Sequence, residues 1–313
     1  MAKSAYEYVK LYEQDDRILP GCWVVLRIDG KGFTKFCDLH GFEKPNDDRG
    51  LALMDDAARG VAELFPQLRI GFGESDEYSF VFPPDFDAYG RRGSKIVSLA
   101  VSAFTAAYVM RWPDRFPGVP LRSAPLFDGR VVCYPTTRQI RDYLAWRQVD
   151  THINNLYNVC FWALVQKQGK TTTQAHETLR GTRSDFKNEL LFSTFGINYN
   201  DLPQRHRKGS VLVWEEVERT GRRGASAAVE AGAGVGEGGA HCAGDSEGGE
   251  ERAGAGSGEG GEGAASPGEA TRTSKKRKTR AKRCLVVVHE DIIKDAFYEQ
   301  RPYVLAPGRP ERP

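Results

Sequence analysis

Arg27-Ile28-Asp29-Gly30-Lys31-Gly32-Phe33 and Gly73-Glu74-Ser75-Asp76-Glu77 are the stretches whose reading decides the fold. The first closes an apolar run that reads as a strand over 22–29. The second joins two more strand-like runs, 68–73 and 78–82, through a short acidic turn. Asp29 leaves the end of one strand, and Asp76 sits at the turn between the other two. If these strands are neighbours in one sheet, the two carboxylates meet at its edge. Two carboxylates beside a Gly-rich turn can hold a pair of divalent metals against a triphosphate, the layout of a nucleotidyl-transfer site. The bland alternative is two surface turns carrying solvated acids.

Working outward, Asn46 or Asp47 offers an N-cap for a helix reaching about Phe65, with Pro66 as its stop. A second helix is expected over 94–112, ending before Pro113, and a strand over 130–134. The order is β-α-β-β-α-β, the ferredoxin-like arrangement, in which the first and third strands pair at the sheet centre. The expected fold class is therefore α+β, a polymerase- or cyclase-type palm with additional C-terminal helices and strands. Thr136 or Thr137 starts a long helix or helix pair reaching about Gln168. Later strand candidates are 211–217, 284–289 and, less regular, 189–195, with a helix expected over 290–299.

Composition sets limits. The chain has 313 residues and a formal net charge of +2, so a nucleic-acid surface must be a local patch. Six cysteines without a C-x-x-C pair suggest neither a zinc site nor a disulfide framework, and point to a reducing intracellular compartment. The polar N-terminus is not a secretory signal. The longest apolar stretch, 96–110, is too short for a bilayer and reads as a buried core helix, so no membrane is expected. From 221 to 270 the chain is Gly, Ala, Glu and Ser with almost no large apolar residue. Such a composition cannot offset ordering entropy and is expected to be disordered. Residues 271–283 then carry eight Lys or Arg. The division expected is a palm over 1–135, a helical and strand extension over 136–220, a low-complexity insertion over 221–283, and a strand and helix over 284–313. The basic run 275–283 is a candidate nuclear-import signal, which leaves nucleus and cytoplasm both open.

The site residues have separable jobs. Asp29 and Asp76 are hard oxygen donors suited to Mg²⁺. Gly30 and Gly32 let backbone approach phosphate. Ser75 can donate to a phosphate. Glu77 is either a third metal ligand or an outward-facing strand residue. Phe33 reads as core or as a base-stacking ring, Lys31 and Lys35 as solvated charge. Arg92 and Lys95 flank a helix start, where phosphate is favoured, or lie in an exposed loop. Gly169-Lys170-Thr171 mimics the end of a P-loop, but the required earlier glycine is Leu164. His152-Ile153-Asn154-Asn155-Leu156-Tyr157-Asn158 places unusual polarity in a helix, which implies either a buried polar network or contact with RNA bases or a triphosphate.

Taken together, these segments resemble the tRNA(His) guanylyltransferase family. The resemblance also takes in Tyr6-Glu-Tyr-Val-Lys10, Asn188-Glu-Leu-Leu-Phe192 and Arg207-Lys-Gly209. It implies a polymerase-like palm working in the 3′-to-5′ direction. The implied reaction adenylylates the tRNA 5′-monophosphate with ATP, lets the GTP 3′-hydroxyl displace AMP, and removes pyrophosphate. It implies Asp29, Gly30 and Asp76 as ligands of two Mg²⁺ ions, with Asp29, Asp76 and Glu77 as the catalytic acids. It implies nucleotide contacts from Asp29, Gly30, Lys31, Gly32, Phe33, Thr34, Ser75 and Asp76. Phosphate or activation roles fall to Lys44, Arg92, Lys95 and Asn158. His152 and Lys187 are implied tRNA contacts; Asn154, Asn155 and Asn198 join them as candidates because amides read base edges. A tetramer is implied. Two rivals remain open here: a nucleotidyl cyclase or signalling-nucleotide synthase acting on GTP alone, and a non-catalytic RNA-binding protein. Both aspartates, and the lack of an RNP1-like aromatic string, argue against the second.

Overall fold

Strand β1 (Trp23–Gly30) pairs antiparallel on both sides, with β3 (Glu77–Phe82) and with β4 (Phe127–Tyr134). β2 (Ile70–Glu74) continues the sheet from β3. β5 (Ser210–Val217) and β6 (Lys282–Val288) complete the order β4-β1-β3-β2-β5-β6. The first four strands realise the expected palm, with the first and third at its centre. This computed structural model describes residues 4–217 and 282–308. The insertion expected over 221–283 lies outside the described residues, except that Lys282 and Arg283 already belong to β6. The described residues up to Trp214 and from Leu285 onward form one compact unit.

Side-chain alternation sends the two faces of the sheet into different cores. Val24, Leu26, Ile28, Phe80 and Phe82 pack beneath α2 (Asp48–Leu64) and α3 (Gly93–Arg115). Trp23, Val25, Phe72 and Val81 face α4 (Thr137–Gln168) and the C-terminal residues Ile292, Phe297 and Tyr298. A third cluster joins α4 to α5 (Thr172–Leu179) and α6 (Ser184–Phe195).

The helix starts follow their caps. Asp47 accepts from the N–H groups of Arg49 and Gly50 and starts α2. Thr136 and Gln139 form a capping box that starts α4 as one continuous helix. Gly169, in the left-handed region, ends α4, and Thr171 caps α5, so the P-loop mimic is a helix–helix junction.

Five expectations are corrected. A short helix, α1 (Phe33–Leu39), follows Gly32, driven by burial of Phe33 and Phe36. α3 runs through Pro113 to Arg115, because a proline in the last turn forfeits little of the hydrogen-bond ladder. At 23 residues, α3 is long and apolar enough to cross a membrane; here Ile96, Ala100, Phe104, Tyr108 and Trp112 form a stripe buried under the sheet. Met110 on its outer face is 76% exposed, so only one face is core. The segment 189–195 is helical within α6 and buries only Leu191. Helix α8 is confined to Asp295–Gln300, because 290–292 instead bonds to α4. Between α6 and β5, α7 (Gln204–Lys208) precedes a glycine with φ of 72°.

Candidate active site

β2 and β3 turn through Ser75 and Asp76 alone, since Glu74 faces Glu77 across the ladder. Ser75 takes a φ of 49°, a left-handed position usually given to glycine. The turn carries Asp76 over the end of β1, where the Gly30 N–H donates to the Asp76 carbonyl at 3.0 Å. A Cβ on Gly30 would lie 2.9 Å from Asp76 Oδ2 and would collide with the Phe33 ring. Glycine is therefore required here for backbone and carboxylate to meet. Asp29 faces Glu77 in the β1–β3 register.

The arrangement opens into a cleft of about 560 Å³ between the sheet edge and α4. Its lining includes Asp29, Asp55, Glu74, Asp76, Glu77 and Asp150, six carboxylates against the guanidiniums of Arg27, Arg147 and Arg205. The carboxyl groups outnumber the guanidiniums by three. Burial, with Asp29 and Glu77 alongside, pushes the Asp76 carboxyl up to about 6, partly offset by bonds to its own backbone and Ser75. Burial pushes Glu74 up to about 7. A hard cation relieves such a field, and two carboxylates with the Gly30 backbone form an oxygen donor set for one. Among the described residues, no three His, Cys, Asp or Glu side chains converge as a ready-made metal cluster.

Glu77 is placed differently from Asp29 and Asp76. Arg27 Nη2 donates to its Oε2 at 2.5 Å, and Arg147 Nη1 reaches both of its oxygens at 3.2 Å. Burial raises its carboxyl while the two arginines pull it back. Clamped between guanidiniums, Glu77 positions its neighbours and is a poor free ligand.

A second cleft, about 420 Å³, shares Ser75, Asp76, Asn46 and Asn158 with the first and is lined by Thr34, Lys44 and Asp47. Asp76 thus lies between two openings. Lys44 pairs with Asp38 at 3.0 Å and points toward the Trp162 ring.

Other expected residues fall elsewhere. Lys31 and Gly32 line a separate depression beside Ser123 and Ala124. The Phe33 ring is 5% exposed and packed against Phe36, Tyr108 and Phe127, as its core reading expects, and it also borders the second cleft. Arg92 and Lys95 stand at the start of α3, whereas Tyr108 of that helix borders the second cleft. The separation is roughly 20 Å along the axis, so one chain does not bring them to the carboxylates. Their side chains meet Asp16 and the Tyr89 ring.

The polar string on α4 divides between its two readings. Asn155 is buried; its Oδ1 accepts from Asn46 Nδ2 at 2.9 Å, and its Nδ2 donates to Tyr199 Oη at 3.1 Å. This is a structural network. Asn154 and Asn158 are exposed and line the first cleft. His152 is exposed beside Tyr199. Lys187 donates to the Thr182 carbonyl at 2.7 Å, and Asn198 caps a short turn by accepting from Asn200 N–H.

Sequence reasoning missed Arg27, Arg147 and Asn46. Arg27 shares a face of β1 with Asp29 by alternation. Arg147, Thr151, Asn154 and Asn158 recur at helical spacing on the cleft face of α4, a signal present in the sequence.

Comparison with known proteins gives two family models. The model described as tRNAHis guanylyltransferase matches residues 6–135, and the Thg1 C terminal domain matches 138–294. A tRNA(His) guanylyltransferase of Neurospora crassa is 45% identical, covering 100% of both chains. That of Schizosaccharomyces pombe is 55% identical over 70% of this chain and 84% of its own. A crystal structure of the Saccharomyces cerevisiae protein superposes with a TM-score of 0.63 at 43% identity, covering 72% of this chain and 97% of that one.

Proposed function

The chain belongs to the tRNA(His) guanylyltransferase family, and from that premise we propose that it adds one guanosine to the 5′ end of tRNA(His) by nucleotidyl transfer at the Asp29–Asp76 cleft. The observation that carries this reading is the surplus of carboxyl groups over guanidiniums lining that cleft, with Asp76 carried onto the Gly30 end of β1. A site tuned to hold divalent cations against phosphates needs that imbalance.

In this account Asp29, Asp76 and the Gly30 carbonyl hold Mg²⁺, which when bound neutralises phosphate charge and orients the reacting oxygens. The tRNA 5′-phosphate oxygen bonds to the α-phosphorus of ATP, and pyrophosphate leaves. The GTP 3′-oxygen then bonds to the tRNA 5′-phosphorus, the proton leaves that hydroxyl, and AMP departs. Hydrolysis removes pyrophosphate from the new end. No side-chain nucleophile is required, and the chain's task is positioning. Ser75 and Asn158, shared by both clefts, are placed for phosphate oxygens. Lys44, with a carboxylate partner, supplies a movable charge in the second cleft. Arg27 and Arg147 hold Glu77 opposite Asp29, which fixes the strand register under the metal ligands.

Selection of one tRNA requires contacts beyond a 5′-phosphate that every tRNA offers. Unpaired anticodon bases present readable edges, and exposed His152 and Asn154 are the candidates kept by their placement. Lys187 stays in the proposal as a phosphate contact, since its ammonium bonds a carbonyl and faces the Tyr157 ring rather than a carboxylate. One compact unit of this size is shorter than a tRNA, so an oligomer, a tetramer by family, divides end chemistry from anticodon reading. The basic run 275–283 is proposed as an import signal, which a tagged variant lacking its charges tests by redistribution to the cytoplasm.

The test is one incubation of the purified protein with labelled GTP, ATP, Mg²⁺ and 5′-monophosphorylated tRNA(His), with tRNA omitted in a control. Label on the tRNA that needs both ATP and the 5′-phosphate supports the proposal. A product formed from GTP alone overturns it in favour of cyclase-like chemistry.

A further inference from the structure

Gln148 follows Arg147 on α4 and is 1% exposed. Its Nε2 donates to the carbonyls of Lys208 at 2.8 Å and Glu290 at 2.9 Å, and its Oε1 accepts from the Ile292 N–H at 2.8 Å. Both amide hydrogens are used. Two of the three partners lie beyond the low-complexity stretch. The same short segment is held again by Lys208 Nζ to Asp291 at 2.9 Å and by a two-pronged Arg301–Glu290 pair at 2.8 and 3.1 Å.

One residue earlier, the Arg147 guanidinium reaches Glu77, Glu74 at 3.4 Å and Asp150 at 3.0 Å, with its side chain 3% exposed. A helix is a stiff rod, advancing about 1.5 Å and one-quarter turn or so per residue. Any rotation or slide of α4 that frees Gln148 therefore carries Arg147 off Glu77. Glu77 faces Asp29 across the ladder, so the displacement reaches the metal-binding end of β1.

We propose that Gln148 is a positioning residue: it registers α4 on residues 290–292, and so holds Arg147 across Glu77 and Glu74 beneath the metal-binding carboxylates. The chain that returns after the low-complexity stretch thereby sets the geometry of a site whose ligands all precede it. This rests on the nucleotidyl-transfer reading above.

The variant Gln148→Met keeps the length of the side chain and removes all three bonds. Mn²⁺ binding is followed by electron paramagnetic resonance well below the melting temperature, beside kcat and the tRNA KM. Mn²⁺ affinity and kcat should each fall tenfold or more, with KM within twofold. Arg115→Ala, which breaks a two-pronged pair with Asp56 distant from the cleft, should leave Mn²⁺ affinity unchanged although stability falls. If Gln148→Met does not fold, Lys208→Met decides: loosening the same segment from one side should weaken Mn²⁺ about threefold. Mn²⁺ affinity within twofold of wild type in the folded Gln148→Met protein, or unchanged affinity in Lys208→Met, overturns the proposal. Asp76→Ala separates the two levels: if it too leaves Mn²⁺ binding intact, the metal reading fails, and otherwise only the role of Gln148 does.

Discussion

Burial in the folded protein disfavours the charged form of Asp76. Its carboxyl is pushed up to about 6, above the ordinary aspartate value of about 3.9. The folded chain thus binds more protons than the unfolded one between those values. The group's contribution is fully present below about pH 4 and is lost as pH rises through about 6. In chelator, Asp76→Asn should melt at nearly the wild-type temperature at pH 4. Its advantage should grow between pH 4 and 6 and level off above, at roughly 2–3 kcal/mol. Melting curves of both proteins from pH 4 to 7.5 check this, and an advantage that does not change with pH contradicts it. Ser75 carries the same trade. Ser75→Gly relieves a left-handed backbone and should stabilise by about 1 kcal/mol, while guanosine addition falls with loss of the hydroxyl. Asp29 and Asp76 were legible because strand-end and turn positions are local signals. Arg147 was not: its partners lie 73 and 70 residues away in sequence, and only the packing of α4 on the sheet brings them together.

The elements were legible where caps and alternation agree. Of the paired candidates Asn46 or Asp47 and Thr136 or Thr137, Asp47 and Thr136 act as the caps. Thr136→Ala should cost about 1 kcal/mol, lowering the melting temperature by a few degrees without changing kcat, as differential scanning calorimetry and the tRNA assay would show. Elements were misread where tertiary packing overrides local preference. Segment 189–195 has strand-like apolar residues, but Leu191, with Leu190 and Phe195 beside it, docks α6 on α4 while Phe192 stays exposed. α1 is too short to carry a periodic signal and exists because two phenylalanines complete an aromatic core. Residues 290–294 have helix-forming composition, yet Gln148 takes their backbone groups.

Across the whole molecule, a palm of four strands is extended by β5 and β6, and its second face is closed by α4 and by chain from beyond residue 281. The topology was legible because β-α-β-β-α-β order permits few arrangements. Deleting 221–270 withdraws almost no large apolar residue. It should leave kcat unchanged and stabilise by about 1 kcal/mol at most through a shorter connection, measurable as a small rise in melting temperature. The account as a whole stands on the Asp29–Asp76 cleft. Its most direct test is the rate of labelled guanosine addition to 5′-monophosphorylated tRNA(His) by Asp29→Ala and Asp76→Ala, with tRNA affinity measured in parallel. The expected result is a loss on the order of a thousandfold or more in each variant, with affinity nearly intact. Near-wild-type turnover by either variant would contradict the assignment.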